Sequence, residues 1–552
     1  VSCRTPIFWL LSIATLCVSG VAIADDEQTS NQPEWLDLDA QYRVETNLIN
    51  PLDLNGTSAT KTFWTEQRGR FFLGIRDPEV GGVYLRADVL DGVLFGDNGV
   101  YGGDPSPNSG LAVATKNPNN TAWRTGLLPG ADPLDPASYV PILREVDPIR
   151  ITHLFGEVKL PIGLMRVGRM PLSEGAGIAA HDGGRRNRWG VSRYNDIADR
   201  VLFATKLDEM VNAIRHGASH KADTSQKNGV ILAGTYDWNV QDDIGSLADD
   251  AYQTNILLSW RREKADWLGL DWRDFQLTAV AVHKGADTFD TDIWAFPIRF
   301  TSHIGPLYLN LQLSIIRGET REVSEGLAKL TGKTPKVQAI EHMGAHAMAE
   351  YTLGPVALAM EYDYASGDAD PRSNTPLTQF SFARDFNVGL LLFEHVLSFQ
   401  SARSAAVGIE NLSQLNATSF PLTEVDSQSR FVNAHAIFPQ LKVNIVNNDK
   451  HQLHTRLGVL MAWTAAEGVV DPVGTLLQED GNEISDDAVN FHGGKPGNFY
   501  GTEVDVQIGW TYRNVFTWTL EGAMLFPGDA LQDENGDAVT SYLVTNRFLF
   551  AF

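Results

Sequence analysis

Apolar and polar residues alternate one by one along many short stretches of the chain. Leu307, Leu309, Leu311, Leu313 and Ile315 alternate with Tyr308, Asn310, Gln312 and Ser314. Val504, Val506, Ile508, Trp510 and Tyr512 alternate with Glu503, Asp505, Gln507, Gly509 and Thr511, and Val356 to Tyr364 follows the same rule. A period of two sends the two sets to opposite faces of a β-strand. At the C-terminal end Phe552, Phe550, Phe548, Val544 and Tyr542 stand against Ser541, Thr545 and Arg547, with Asn546 interrupting the apolar file. Two readings fit such a segment: the closing strand of an outer-membrane barrel, with one face to lipid and one to a wet lumen, or an amphipathic edge strand of a soluble β domain.

The connections separate these readings. Alternation places strands near 36–48, 68–76, 82–95, 149–160, 163–171, 199–208, 229–238, 251–262 and 274–284. Further strands fall near 292–303, 307–317, 338–352, 355–365, 430–446, 451–464, 499–512, 515–526 and 540–552, which makes about 18. Every second connection is short, as in Asp77-Pro78-Glu79-Val80-Gly81, Pro161-Ile162, Leu353-Gly354 and Arg513-Asn514. Those between are mostly long and rich in Gly, Pro, Asn and Asp, near 96–148, 172–198, 318–337, 366–429 and 465–498. Short turns at one end and long loops at the other predict an all-β fold: a single transmembrane antiparallel β-barrel with long extracellular loops and short periplasmic turns. Connections near 209–228 and 263–273 are longer than the short side prefers. Residues 386–408 are too apolar for a solvated loop, and predict a short helix at or inside the barrel mouth, or a further strand pair that raises the count to 20. Tryptophans near strand ends (Trp35, Trp238, Trp260, Trp294, Trp463, Trp510 and Trp518) fit interfacial girdles.

Arg4, the apolar run Ile7 to Val18 and Ala22-Ile23-Ala24 predict a signal peptide over 1–24, leaving 25–552 as the barrel. Cys3 and Cys17 are the only cysteines and leave with it, so thiol catalysis and Cys-bound zinc drop out. No later stretch supplies about 18 uncharged apolar residues, so a spanning helix is not expected and a closed barrel is what remains for crossing a membrane. The formal net charge of −24 argues against nucleic acid as a partner. It leaves anionic cargo open, because charge on outer loops and charge in a lumen are separate quantities.

Three segments then carry a resemblance. Gly168-Arg169-Met170-Pro171-Leu172-Ser173-Glu174-Gly175-Ala176-Gly177 with Asp199-Arg200-Val201, Ala365-Ser366-Gly367-Asp368, and Tyr500 to Asp505 with Phe526-Pro527-Gly528-Asp529 resemble, in order, segments of the alginate export porin family. The resemblance implies an 18-stranded outer-membrane channel with a basic lumen for a polyanion. Met170-Pro171 stands where that family commonly continues with a glutamine, which puts alginate itself in doubt.

Alternation also selects candidate site residues. Arg68, Arg70, Arg76, Arg86, Lys159 and Arg166 fall on inward faces of neighbouring strands and make a basic strip. Arg169 falls on the lipid face, unless a bulge or a rim position rescues it. Glu361, Asp363, Glu503, Asp505 and Glu521 make an acidic wall opposite. Such walls set up a transverse field that selects ions, or form a solvated, salt-bridged lumen without selectivity. Arg185, Arg186, Arg188 and Arg193 cluster in a predicted outer loop, suited to acidic ligands at the mouth, to lipopolysaccharide phosphates or to acidic neighbouring loops. No Gly-x-Ser-x-Gly elbow or His-Glu-x-x-His helix is present, so no enzyme and no catalytic residue is expected. His342 and His346 share a strand face with Glu350 at a spacing too wide for one metal. No cofactor is expected; calcium at the acidic runs Glu479–Asp487 and Asp529–Asp537 is the one candidate ion. The expected partners are membrane lipid, a solute or polyanion cargo and the barrel-assembly machinery, with the chain a monomer. The alternatives are a non-conducting barrel that sheathes or anchors a partner protein, and an outer-membrane hydrolase.

Overall fold

The structure, a computed structural model, describes residues 35–552 apart from 55–61, 97–124, 128–138, 142–146, 173–176, 184–186, 193–195, 217–225, 242–250, 325–333, 370–374, 402–426, 467–496 and a few shorter gaps. The proposed signal peptide and the Glu479–Asp487 run therefore lie outside the described residues.

Eighteen antiparallel strands close on themselves. They are β1 Leu36–Asn50, β2 Thr62–Asp77, β3 Gly81–Gly96, β4 Asp147–Leu160, β5 Gly163–Pro171 and β6 Ile197–Lys206. Next come β7 Gly229–Gln241, β8 Tyr252–Trp267, β9 Leu270–Ala286, β10 Thr291–Ala295 with Ile298–Ile304, β11 Leu307–Thr320 and β12 Gln338–Leu353. The last six are β13 Val356–Ala365, β14 Ala434–Asn447, β15 His451–Thr464, β16 Phe499–Tyr512, β17 Phe516–Pro527 and β18 Ser541–Ala551. Pro297 interrupts β10 because it has no N–H to give, yet both halves keep their neighbours, and Phe296 N–H and Pro297 C=O still bond β11 and β9. β18 pairs with β1 from Gln41↔Ala551 to Asn50↔Tyr542, and Phe552 exchanges two backbone bonds with Ala40, each 2.9 Å. That closure leaves no unpaired edge, which is the condition for a sheet in hydrocarbon.

The faces sort as the alternation requires. Leu311 and Leu313 are 40% and 37% exposed on the outside, while Asn310, Gln312 and Ser314 are buried inside. Phe71 and Ile75 point out where Arg68 and Arg70 point in, and Val544, Phe548 and Phe550 form an outer apolar file. An apolar outside around a charged inside is the reverse of a soluble fold and calls for a lipid surround. Asn546, the polar break in that file, accepts a 2.8 Å hydrogen bond from Trp518 Nε1 on the neighbouring strand, so its carbonyl is answered within the wall. Arg169 does face outward. Asp199, beside a bulge in β6, meets it with two bonds of 2.8 and 2.9 Å, so an ion pair, and not a reversed face, accommodates the charge.

Two expected irregularities resolve. The 263–273 connection is not a loop: β8 and β9 run on to a two-residue turn at Leu268-Gly269, both at positive φ (59° and 71°), the geometry of a tight hairpin. The 209–228 connection holds a helix, α1 Leu207–His216, with Asp208 accepting Val230 N–H at 3.1 Å to tie it back to β7. No helix among the described residues is long and apolar enough to cross a membrane.

The face assignment predicts unequal tolerance to charge. A lipid-facing arginine costs ~2–4 kcal/mol near the bilayer midplane, whereas a lumen position tolerates it. Leu311→Arg should sharply lower the yield of heat-modifiable, folded barrel, and Gln312→Arg should leave most of it. Equal yields would contradict the assignment.

Candidate functional site: the barrel lumen

Five of the first six strands present buried arginines inward. Arg43 on β1, Arg68 and Arg70 on β2, Arg86 on β3, Arg166 on β5 and Arg200 on β6 are all buried by the barrel interior. The register explains their succession. Arg43 pairs with Arg68, Arg70 with Asp88, Phe72 with Arg86, Arg86 with His153, Glu157 with Arg166 and Gly168 with Arg200. Three of these guanidinium groups are held by carboxylates: Arg70 by Asp88 at 2.7 and 2.9 Å, Arg166 by Glu157 at 2.7 Å, and Arg200 by Asp237 at 2.8 and 2.7 Å. Arg86 donates to Thr152 Oγ1 at 2.9 Å, and Arg43 to the Ser192 carbonyl at 3.1 Å. Arg76 lies at the turn end of β2 and is exposed, and Lys159, half-buried, occupies the turn end of β4. Neither stands beside the upper arginines. Arg43 and Arg200 were not singled out from sequence, although Arg43 alternates with Tyr42 and Val44 by the rule that found Arg68.

The acidic residues also point inward, and loops have taken up two of them, Glu503 and Glu521. Glu361, Asp363, Glu503, Asp505 and Glu521 are buried on β13, β16 and β17. Glu503 accepts the backbone N–H groups of Leu390, Leu391 and Leu392 at 2.7, 2.9 and 2.6 Å. These are the donors of a chain turning into a helix, the place where a carboxylate is favoured by both hydrogen bonds and dipole. The segment that follows, Leu392–Leu397, is a wide helical turn with all six residues buried. Of the apolar stretch 386–408, residues 392–401 are helical and folded into the barrel, and among its described residues no additional barrel strand arises. Gly389 permits this approach: it sits at φ +77°, and a Cβ there would come within 2.9 Å of Glu503 Oε1.

A second loop, 172–196, also enters the lumen. Arg188 ion-pairs with Glu350, only a few residues above the periplasmic end of β12, and donates to Gln440 Oε1 at 3.4 Å. Trp189 is 1% exposed, stacks on Phe438 at 5.8 Å and lies 5.4 Å beneath the Arg456 guanidinium. Gly190 N–H donates to Glu521 Oε1 at 3.0 Å, and Gln507 Nε2 to the Arg188 carbonyl at 3.1 Å. On the opposite side Arg70 Nη1 holds the Gly183 carbonyl at 2.9 Å. This loop spans from basic wall to acidic wall. Arg188 is therefore deep inside and not at the outer surface where the sequence placed it, while Arg185, Arg186 and Arg193 lie outside the described residues. The signal available in the sequence was Trp189, an aromatic too costly to leave in water beside a basic run.

Asn387 Nδ2 donates to the Trp189 carbonyl at 3.1 Å, so the two loops brace one another. Around them Ile49, Leu52, Trp64, Phe382, Phe393, Phe431, Leu460, Tyr500 and Leu543 form an apolar core inside the barrel. Arg547 couples the two walls at the strand closure, pairing with Glu45 and, at 2.6 Å, with Glu521. The inner faces of β8 to β11 carry small polar groups, among them Asn255, Ser259, Thr278, Thr301 and Asn310, together with Arg261 and Arg299, which donate to Ser259 Oγ at 3.3 Å and Asn310 Oδ1 at 3.4 Å. In the Asp529–Asp537 run, Asp533 Oδ1 accepts the N–H groups of Asn535 and Asp537 at 2.9 and 2.8 Å, and Asp529 Oδ1 accepts Phe499 N–H at 2.8 Å. The carboxylates there serve the turn itself.

No family profile and no curated protein matches the chain. Among solved structures it is similar to OccAB1 of Acinetobacter baumannii, at 9% identity and a TM-score of 0.47 over 94% of this chain and 97% of that one. It is similar also to OccK9 (OpdG) of Pseudomonas aeruginosa, at 12% identity and a TM-score of 0.46 over 94% and 98%. A third is OccK2 (OpdF) of Pseudomonas aeruginosa in complex with glucuronate, at 9% identity and a TM-score of 0.43 over 94% and 96%.

The Glu503 clamp generates a direct prediction. Hydrogen bonds to a charged acceptor contribute about 1.5–3 kcal/mol each, and Glu503→Ala removes three at once without touching the ladder. The folded barrel should persist, with new protease cleavage within 386–401. Unchanged protection of that segment would show that the loop is held by apolar packing alone.

Proposed function

We propose that the chain is an outer-membrane channel that passes small anionic solutes, with the arginines of β1 to β6 as the surface along which they move. The observation that carries this reading is the succession of inward arginines on adjacent strands, set in a barrel whose other charged wall is occupied by its own loops. Guanidinium groups present planar forks that match carboxylates, and a ladder of them offers successive weak sites along a path. Such sites favour entry while still permitting release. Inside a narrow lumen these charges are screened less than on an open surface, so the acidic net charge of the whole chain does not cancel them.

The finer reading takes the cargo to be a uronate-type polyanion, as the alginate-export resemblance implies. Its support is the carboxylate-matching geometry alone. Direction of transport does not enter it. One observation favours a second reading: both in-folded loops and the apolar core around Phe393 and Trp189 occupy a share of the lumen. A barrel filled this way and conducting nothing would serve as a scaffold or sheath for a partner.

Ion selectivity separates the two. In a planar bilayer under a potassium chloride gradient, the wild-type protein should show a reversal potential on the anion side. Arg68→Gln together with Arg86→Gln should move it toward the cation side with the folded barrel retained. Cation preference in the wild type, or no shift in the double variant, would overturn the anion path; absence of any current would favour the scaffold.

A further inference from the structure

Across β12 and β13, His346 and Asp363 are direct register partners, and Glu361 lies two residues from Asp363 on the same inward face. His346 Nδ1 is 2.7 Å from Asp363 Oδ1 and 4.0 Å from Glu361 Oε1, and one ligand atom from each of the three residues falls within 4.8 Å of the others. The side chains are 3%, 1% and 6% exposed, in the same order. Asp363 Oδ2 is fully buried and accepts no hydrogen bond. A buried carboxylate oxygen without a donor is costly, and a second carboxylate beside it raises the cost. The neighbours around the cluster are two amides, a ring and a guanidinium: Gln440 Nε2 donates to Glu361 Oε2 at 2.7 Å while its Oε1 accepts from Arg188 at 3.4 Å, Asn310 lies 3.3 Å from His346 Nε2, and Phe386 closes the cluster edge-on, 5.1 Å from the imidazole.

We propose that His346, Glu361 and Asp363 form a binding site for a first-row divalent cation of the zinc type, set in the barrel wall beneath the in-folded loop. One imidazole and two carboxylates neutralise a double positive charge and supply three ligands of the kind such ions take. Donor atoms around a tetrahedral ion with bonds of 2.0–2.1 Å stand about 3.3 Å apart. The observed 2.7 and 4.0 Å bracket that spacing, so side-chain rotation suffices and the strands need not move. The outer contacts fit as well. Asn310 Nδ2 faces His346 Nε2 and its Oδ1 accepts from Arg299 at 3.4 Å; a rotation of that amide would let it accept the Nε2 proton and leave the Nδ1 lone pair to the ion, and Gln440 orients Glu361. Calcium and magnesium, which take six or more oxygen ligands, suit this set poorly. The three residues come from neighbouring strands, which is why the His342, His346, Glu350 spacing along one strand gave no sign of them.

The test uses the full barrel folded in detergent, stripped with chelator and titrated with Zn²⁺ alone, with metal content measured after desalting. One equivalent should remain per wild-type chain and should resist excess Ca²⁺. Asp363→Asn should weaken binding by more than about 100-fold and Gln440→Ala by about 10–100-fold, the range for an outer partner. His283→Ala, which removes the exposed His283–Asp292 pair, should leave the equivalent in place. Should Asp363→Asn fail to fold, X-ray absorption at the zinc edge of the wild type should still show a single imidazole among oxygen donors. A wild-type barrel that retains no stoichiometric zinc, an equivalent lost with His283 and kept without Asp363, or an edge spectrum with several imidazoles would each overturn the site.

Discussion

The backbone hydrogen-bond ladder has to close, and the rest of the structure follows from that closure. A sheet in hydrocarbon cannot leave N–H and C=O groups unanswered. β18 therefore returns to β1, and Phe552 completes the ring through its two bonds to Ala40. Once the ring is closed, every residue faces either lipid or lumen, with little between. Outward positions become leucine, valine and aromatic, and the exceptions are answered locally: Asn546 by Trp518 and Arg169 by Asp199. Inward positions inherit the charge.

Inward charge is a burden as well as a resource. Taken out of bulk water, a guanidinium or carboxylate needs partners, and the two sides of this barrel meet that need differently. On β1 to β6 the arginines are balanced in part by carboxylates of the wall itself, Asp88, Glu157 and Asp237. On β16 and β17 Glu503 and Glu521 turn to backbone N–H groups, and this holds the 172–196 loop and the segment beginning at Gly389 in the lumen. Once inside, those loops bring Trp189, Leu392 and Phe393 to build an apolar core where an empty pore would otherwise run. Charge that began as a wall pattern thus fixes loop positions.

The strands were legible because lipid and lumen impose a strict period of two on each one. That rule alone located all eighteen, and it placed Leu311 outside and Gln312 inside. It ended β8 and β9 short of their turn because Leu268 adopts φ +59° there, a conformation for which leucine gives no warning. The interior arrangement was much less legible. Glu503 and Leu391 are 112 residues apart, Arg188 and Glu350 are 162 apart, and no local period relates them. What the sequence did show was one anomaly behind these contacts: an apolar segment at 386–408, too apolar for a solvated loop. Arg43 and Arg200 were readable by alternation, whereas the His346–Asp363 pairing depended on a register between strands that no single stretch encodes.

The proposed function places the solute path along the arginine wall, with the carboxylates of β16 and β17 buried away from it. Thiol accessibility addresses it directly, because the only cysteines, Cys3 and Cys17, lie in the N-terminal segment and a barrel made without it carries none. Arg86→Cys and Asp505→Cys would each be exposed in the folded, membrane-inserted barrel to a small hydrophilic thiol reagent, and the rates compared. The account predicts fast modification at position 86 and very slow modification at position 505. Comparable rates at both positions, or protection of position 86 with reaction at 505, would contradict it.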